Sequence, residues 1–150
     1  MNKDQVKHCD VCRKKWPSAE YRIAEFAQSI AYLHHDQFFP GWCVLILKHH
    51  ATELFHLSPE VNAQLLQEVT LLAKVLQQTF NAVKINYALF GNLVPHIHWH
   101  IIPRLENDPA IRHAVFAVDH EPKILTAQER EQRIHLILQS LKLPEIHCFP

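Results

Sequence analysis

Apolar and polar positions change their period several times along the chain, and each change predicts an element. Tyr21-Arg22-Ile23-Ala24-Glu25 and Ser29-Ile30-Ala31-Tyr32-Leu33 alternate or run apolar over short spans, which predicts two hairpin strands joined by Phe26-Ala27-Gln28. Pro40-Gly41 predicts a turn, and the unbroken apolar run at residues 42–47 predicts a buried strand after it. Ser58-Pro59-Glu60 announces a helix, because Ser58 can accept from free N–H groups and Pro59 suits the first helical position. Val61, Leu65, Val69, Leu72, Leu76 and Phe80 then recur at three- and four-residue steps and give that helix one core face, with its end near Asn81. Residues 85–90 predict a further strand and residues 91–95 a loop. Strict alternation from His96 to Ile102 follows, until Pro103 stops it. Thr126-Ala127-Gln128-Glu129 has the capping-box pattern and opens a last helix through Ile134, Ile137, Leu138 and Leu141. Residues 105–125 show no clear period and read as an extended excursion over the surface. The strands come in hairpin-like pairs, and only one helix is long enough to serve as a crossover. That order predicts an α+β fold: a five-stranded antiparallel sheet with the 58–81 helix packed across it. With no repeat, low-complexity stretch or linker, residues 1–150 read as a single domain.

Composition narrows the class. A hydrophobic content of 48% can supply a core, and fifteen basic residues balance fifteen acidic ones. A neutral chain argues against a binder of nucleic-acid polymers, which carries a basic surplus. Two glycines exclude collagen-like, glycine-linker and Walker-type phosphate-loop readings. The charged start has no apolar stretch behind it, so it is no secretory signal. The apolar run at 42–47 falls far short of the roughly 18 residues a membrane span needs. Cys9 and Cys12 are close neighbours, Cys43 sits in the apolar run and Cys148 near the end, which suits reduced thiols in a cytoplasmic protein. Thirteen histidines are the anomaly, and they point to imidazole chemistry.

The most informative segment is His96-Ile97-His98-Trp99-His100-Ile101-Ile102. Side chains on a strand alternate faces, so His96, His98 and His100 share one face at spacings of about 6.6 to 6.8 Å, and Ile97, Trp99 and Ile101 share the other. The apolar side anchors the strand while the second presents three imidazoles. Two chemistries fit. The histidines could be metal ligands around an open coordination position. Alternatively, one imidazole is a nucleophile and its neighbours polarise the group under attack, a role suited to a ring that is neutral near pH 7 and later a good leaving group. Periodicity leaves both open.

The stretch 85–104, with Asn86, Gly91-Asn92 and the alternating histidines, resembles the histidine-triad (HIT) family, and so does the 42–47 strand that ends in Lys48-His49-His50. The resemblance covers about residues 9–104 and leaves 105–150 as a C-terminal extension. It implies a nucleotidyl hydrolase or transferase acting at the α-phosphate of a small nucleotide, a dinucleoside polyphosphate or a nucleoside phosphoramidate. Catalysis would run through a nucleotidyl-His98 intermediate, with no catalytic metal and in a homodimer. By the same resemblance, His100 bonds the α-phosphate oxygens, His50 lies near the phosphate and His96 shapes the site. Asn86, Gly91 and Asn92 match the stretch that contacts ribose and phosphates. Gly91 and Asn92 also suit it physically, since both tolerate left-handed geometry and can aim backbone N–H groups at an anion. The chain departs from the family at His34-His35-Asp36-Gln37, where Asp36 and His34 are both candidates for the ribose hydroxyls.

Cys9-Asp10-Val11-Cys12 has zinc-knuckle spacing, and a tetrahedral zinc needs two more ligands. The resemblance to zinc-binding members of the superfamily implies the set Cys9, Cys12, His50 and His96, a structural zinc that leaves His98 and His100 to carry the chemistry. The other reading is two plain thiols in a small turn. Two rival functions stand beside the nucleotidyl one: a zinc hydrolase using all three strand histidines, and a non-catalytic nucleotide-binding or zinc-dependent interaction module. His8, His49, His56, His113, His120, His135 and His147 fit no spacing and read as surface or capping residues.

Overall fold

A computed structural model describes residues 7–142; His147 and Cys148 lie outside the described residues. Five strands, β1 (Arg22–Glu25), β2 (Ser29–Leu33), β3 (Cys43–Leu47), β4 (Lys84–Leu89) and β5 (His98–Arg104), form one sheet in the order β1-β2-β3-β5-β4. Every neighbouring pair is antiparallel. Two helices, α1 (Pro59–Phe80) and α2 (Ala127–Leu141), complete the α+β architecture expected from the pattern. No helix among the described residues is long and apolar enough to cross a membrane.

The unbroken apolar run of β3 has a positional cause. The strand lies between β2 and β5, and all five of its residues are buried, so neither face tolerates a polar residue. On one face Cys43, Leu45 and Leu47 join Ala31, Leu33, Ile97 and Ile101 under Leu65, Val69, Leu72 and Leu76 of α1. Ile137 and Leu141 of α2 enter the same core. Helix α1 begins where Ser58 accepts from the Val61 N–H and ends at Asn81, whose φ of 50° is left-handed. Helix α2 carries the reciprocal capping box of Thr126 and Glu129. Gly41, at φ +84°, is required twice over: a Cβ there would stand 2.5 Å from the Phe80 ring, so the turn before β3 seats the end of α1.

Two expectations change. The histidine strand begins later and ends later than alternation predicts. Ile97 bonds the Ala51 carbonyl and the Leu47 N–H, so residues 96–97 pair with the chain leaving β3 before β4 joins. Pro103 does not stop the strand. The Arg104 carbonyl accepts from Val83 on the β4 side, so by alternation Pro103 faces the β3 side, where pairing has already ended at Cys43–Ile101 and no N–H is missed. Residues 105–125 are also more than a surface excursion. Val115 packs with Phe39, Trp42 and Ile102 in a second small core on the histidine face. Buried Arg104 holds the segment down: it pairs with Asp108 at 2.5 Å and donates to the carbonyls of Ala110 and His113.

Candidate functional site

The register of β5 puts His98 opposite Ile46, and His100 between Val44 and Ala88. Both imidazoles are nearly buried, at 6% and 9% exposure. Their hydrogen bonds assign the ring protons. His98 Nδ1 lies 2.6 Å from the His96 carbonyl, which can only accept, so Nδ1 carries the proton and Nε2 keeps its lone pair. His100 Nδ1 lies 3.2 Å from the Trp42 indole Nε1, which can only donate, so His100 carries its proton on Nε2. Adjacent imidazoles on one face are therefore opposite tautomers, one offering a lone pair and the other an N–H. Burial keeps both neutral. It lowers the pKa of His98, with the His96 carbonyl opposing it. Burial, then the charges of His98 and His34, push His100 down to about 3.

Aromatic groups fence this pair. Trp16 stands edge-on to His98 at 5.2 Å, and Phe116 to His100 at 5.4 Å. His34 stacks on the Trp42 indole at 3.9 Å between centroids and 13° between planes. Two hollows open on either side. One of about 190 Å³ is lined by Trp16, Tyr32, His34 and Val44. The other, of about 360 Å³, is lined by Asn86, Phe90, Ile102 and Phe116.

The remaining predicted residues fall in different places. Asn86 lies on the histidine face, but its Oδ1 accepts from Arg104 Nη1 at 2.7 Å. Gly91, at φ +90°, and Asn92 stay in the loop between β4 and β5, with Asn92 exposed. Asp36 is buried, and both its oxygens are occupied: Oδ1 by the N–H groups of Phe38 and Lys123, Oδ2 by His120 Nε2 at 2.8 Å. Burial raises its pKa, but these donors outweigh it and hold the carboxyl low. His120 therefore has a partner where pattern reading saw a surface residue, and it also stacks on Phe38 at 4.1 Å.

At the other end of the strand Cys9, Cys12, His50 and His96 converge, with their ligand atoms all within 4.8 Å of one another. Cys9 Sγ is 3.5 Å from His96 Nδ1, and Cys12 Sγ is 3.3 Å from His50 Nδ1 and 3.7 Å from His96 Nδ1. A tetrahedral zinc, with bonds of about 2.3 Å to sulfur and about 2.0–2.1 Å to nitrogen, sets S···N edges near about 3.5 Å. His96 Nε2 lies 2.7 Å from the Leu47 carbonyl, so it carries the proton and leaves Nδ1 free toward the thiols. Burial, then the hydrogen bond and charge of Cys9, push the Cys12 thiol up to about 11, a balance that a bound cation would reverse. The donor set fits zinc.

Sequence reasoning missed Trp42, His34 as its stacking partner, Trp16, Phe116 and His120. Trp42 lay in plain view, but an apolar strand pattern reads an indole as core and says nothing of where its N–H points.

Comparison with known proteins bears on this geometry. A family model described as HIT domain matches residues 18–107. An adenosine 5'-monophosphoramidase of Schizosaccharomyces pombe is 32% identical over 84 residues, covering 55% of this chain and 63% of the yeast protein, so the match spans less than two thirds of that relative. The crystal structure of a histidine triad protein from Bradyrhizobium japonicum aligns with a TM-score of 0.73 at 28% identity, covering 80% of this chain and 89% of that one. A Zn-bound histidine triad family protein from Mycobacterium smegmatis shares the fold at a TM-score of 0.66 and 23% identity, covering 91% and 94%.

Proposed function

The chain belongs to the HIT family, and on that premise we propose that it is a nucleotidyl hydrolase or transferase acting at the α-phosphate of a small nucleotide, a nucleoside phosphoramidate or a dinucleoside polyphosphate. The observation that carries this reading is the pair of opposite tautomers at His98 and His100. His98 Nε2 attacks the α-phosphorus; its lone pair forms the N–P bond while the bond to the leaving group breaks, and the leaving group departs with that electron pair and takes a proton from solvent. The neutral His100 Nε2–H donates to a non-bridging oxygen as charge develops there, the electrostatic contribution that usually dominates such steps. Water then attacks the nucleotidyl-His98 phosphorus, returning the electron pair to Nε2 and releasing its proton to solvent, which completes hydrolysis. Another acceptor at that step makes the enzyme a transferase. The yeast monophosphoramidase supports an amine as one leaving group.

Cys9, Cys12, His50 and His96 would hold a structural zinc that pins the N-terminal segment, which carries Trp16, beside the catalytic strand. A metallohydrolase built on all three strand histidines is disfavoured, because the metal-competent cluster among the described residues includes His96 but neither His98 nor His100. Asn86, through Arg104, and the Gly91-Asn92 loop border the side where phosphate and ribose would lie. For Asp36 to reach a ribose it must share oxygens already engaged by His120 and Lys123. A homodimer would use the free edge of β4, where Tyr87 and Phe90 are exposed. The reduced thiols of Cys9, Cys12 and Cys43 suit the cytoplasm.

Mass spectrometry of protein quenched during turnover of an adenosine phosphoramidate tests the reading. A nucleotidyl adduct on His98 is expected. Turnover with no adduct, retained in His98→Ala, would overturn it.

A further inference from the structure

We propose that Trp42 is a positioning residue for the phosphate-binding histidine: its indole N–H fixes His100 as the Nε2-protonated tautomer and aims that N–H at the reacting phosphate. The inference rests on the nucleotidyl reading and deepens it. Indole is a donor with no lone pair to offer, so the 3.2 Å contact from Trp42 Nε1 admits one tautomer of a neutral His100. A free imidazole would exchange between tautomers, and in the wrong one Nε2 would turn a lone pair toward the phosphate oxygens.

The indole is itself held from every side. Its backbone N–H donates to the Phe39 carbonyl at 3.1 Å. Buried Gln37 donates through Nε2 to the carbonyls of both His34 and Trp42, at 2.8 and 2.9 Å, and so locks together the loop that carries the two stacked rings. His34 lies flat on one face of the indole, and Phe116 meets it edge-on at 5.7 Å. Trp42 is 5% exposed, so water does not compete for its N–H. Among the described residues no second hydrogen bond reaches His100 Nδ1. The β5 backbone fixes the Cα, and the indole fixes the proton.

Trp42→Phe keeps an aromatic ring in the stack and removes only the donor. In 15N spectra of the labelled full-length protein, with His100 signals assigned by their loss in His100→Ala, the wild type should show a protonated Nε2 and an unprotonated Nδ1. Trp42→Phe should show averaged nitrogens. With adenosine phosphoramidate as the probe, Trp42→Phe should lower kcat roughly three- to tenfold, the scale of one hydrogen bond, with KM nearly unchanged. In the His100→Ala background the same substitution should cost nothing further, whereas a merely structural Trp42 would cost the same in both backgrounds. An unchanged nitrogen pattern in Trp42→Phe overturns the proposal, and so does an equal loss in both backgrounds. If no adduct forms on His98, the nucleotidyl reading fails instead, and the nitrogen pattern still decides whether Trp42 sets the tautomer.

Discussion

The two ends of one histidine face use the same side chain for different ends. His96, His98 and His100 differ neither in residue type nor in spacing, yet their rings are held differently: carbonyls bind opposite nitrogens of His96 and His98, and an indole binds His100. A carbonyl takes the Nε2 proton of His96 and frees Nδ1 toward two thiols. A carbonyl takes the Nδ1 proton of His98 and frees Nε2 as a lone pair. An indole donates to His100 Nδ1 and leaves Nε2 as a donor. On the proposed reading, what would separate a metal ligand from a nucleophile or a phosphate donor is the group behind the ring. That group comes from a distant part of the chain in two of the three cases.

The largest effect expected on this contrast is in chemistry alone. His98→Ala should lower single-turnover rates at least about a thousandfold, the usual scale for losing a covalent nucleophile. Zinc content should be unchanged, and calorimetry should show a melting temperature close to that of the parent. A variant that kept its turnover would exchange the roles assigned to the two ends.

The converse break acts on stability first. Cys12→Ser removes one thiolate from the cluster, and structural zinc contributes directly to folding free energy. Elemental analysis should show loss of about one zinc per chain, with a melting temperature lower by roughly 5–10 °C, on the scale of about 1–3 kcal/mol. Turnover should fall far less than in His98→Ala, because only the seating of Trp16 and the start of the histidine strand are disturbed. A metal-free parent protein with the same melting temperature would leave Cys9 and Cys12 as plain thiols.

The framework was legible from pattern because its causes are local. The strand β3 announces its two covered faces by five apolar residues in a row, and α2 announces its start through Thr126 and Glu129. The histidine face was legible for the same reason, as a period of two. The wall over that face was not. Phe116 and Val115 sit in a stretch without period, held by a buried Arg104 whose partners Asp108, Ala110 and His113 follow it in no regular order. Pro103 misled because a proline's cost depends on whether its absent N–H would have met a partner, which only sheet order reveals. Asp36 and His120 are 84 positions apart, and neither advertises the other.

The smallest effect expected concerns that last pair, which braces the wall beside His98 and His100. Burial pulls the His120 pKa down, but the hydrogen bond and charge of Asp36 and the Val118 carbonyl outweigh it and raise it. The raised histidine contributes stability that is full below its unfolded value and is lost as pH rises through its folded one. The depressed Asp36 contributes stability that is present above its unfolded value and is lost as pH falls through its folded one. The brace is therefore strongest between roughly pH 4 and 6.5 and relaxes as the medium becomes alkaline. Asp36→Asn keeps an Oδ1 acceptor for Phe38 and Lys123 and replaces the charged Oδ2 by a donor that a neutral His120 Nε2 can accept. The loss should stay below about 1 kcal/mol, as for a partly solvated ion pair. Amide protection factors over residues 116–124 should fall between pH 6 and 8.5 in the parent and stay flat in the variant, while zinc content follows neither. Equal loss of protection at both ends of the histidine strand would mean that the wall and the cluster are one unit, and the division of the face into two ends would fail.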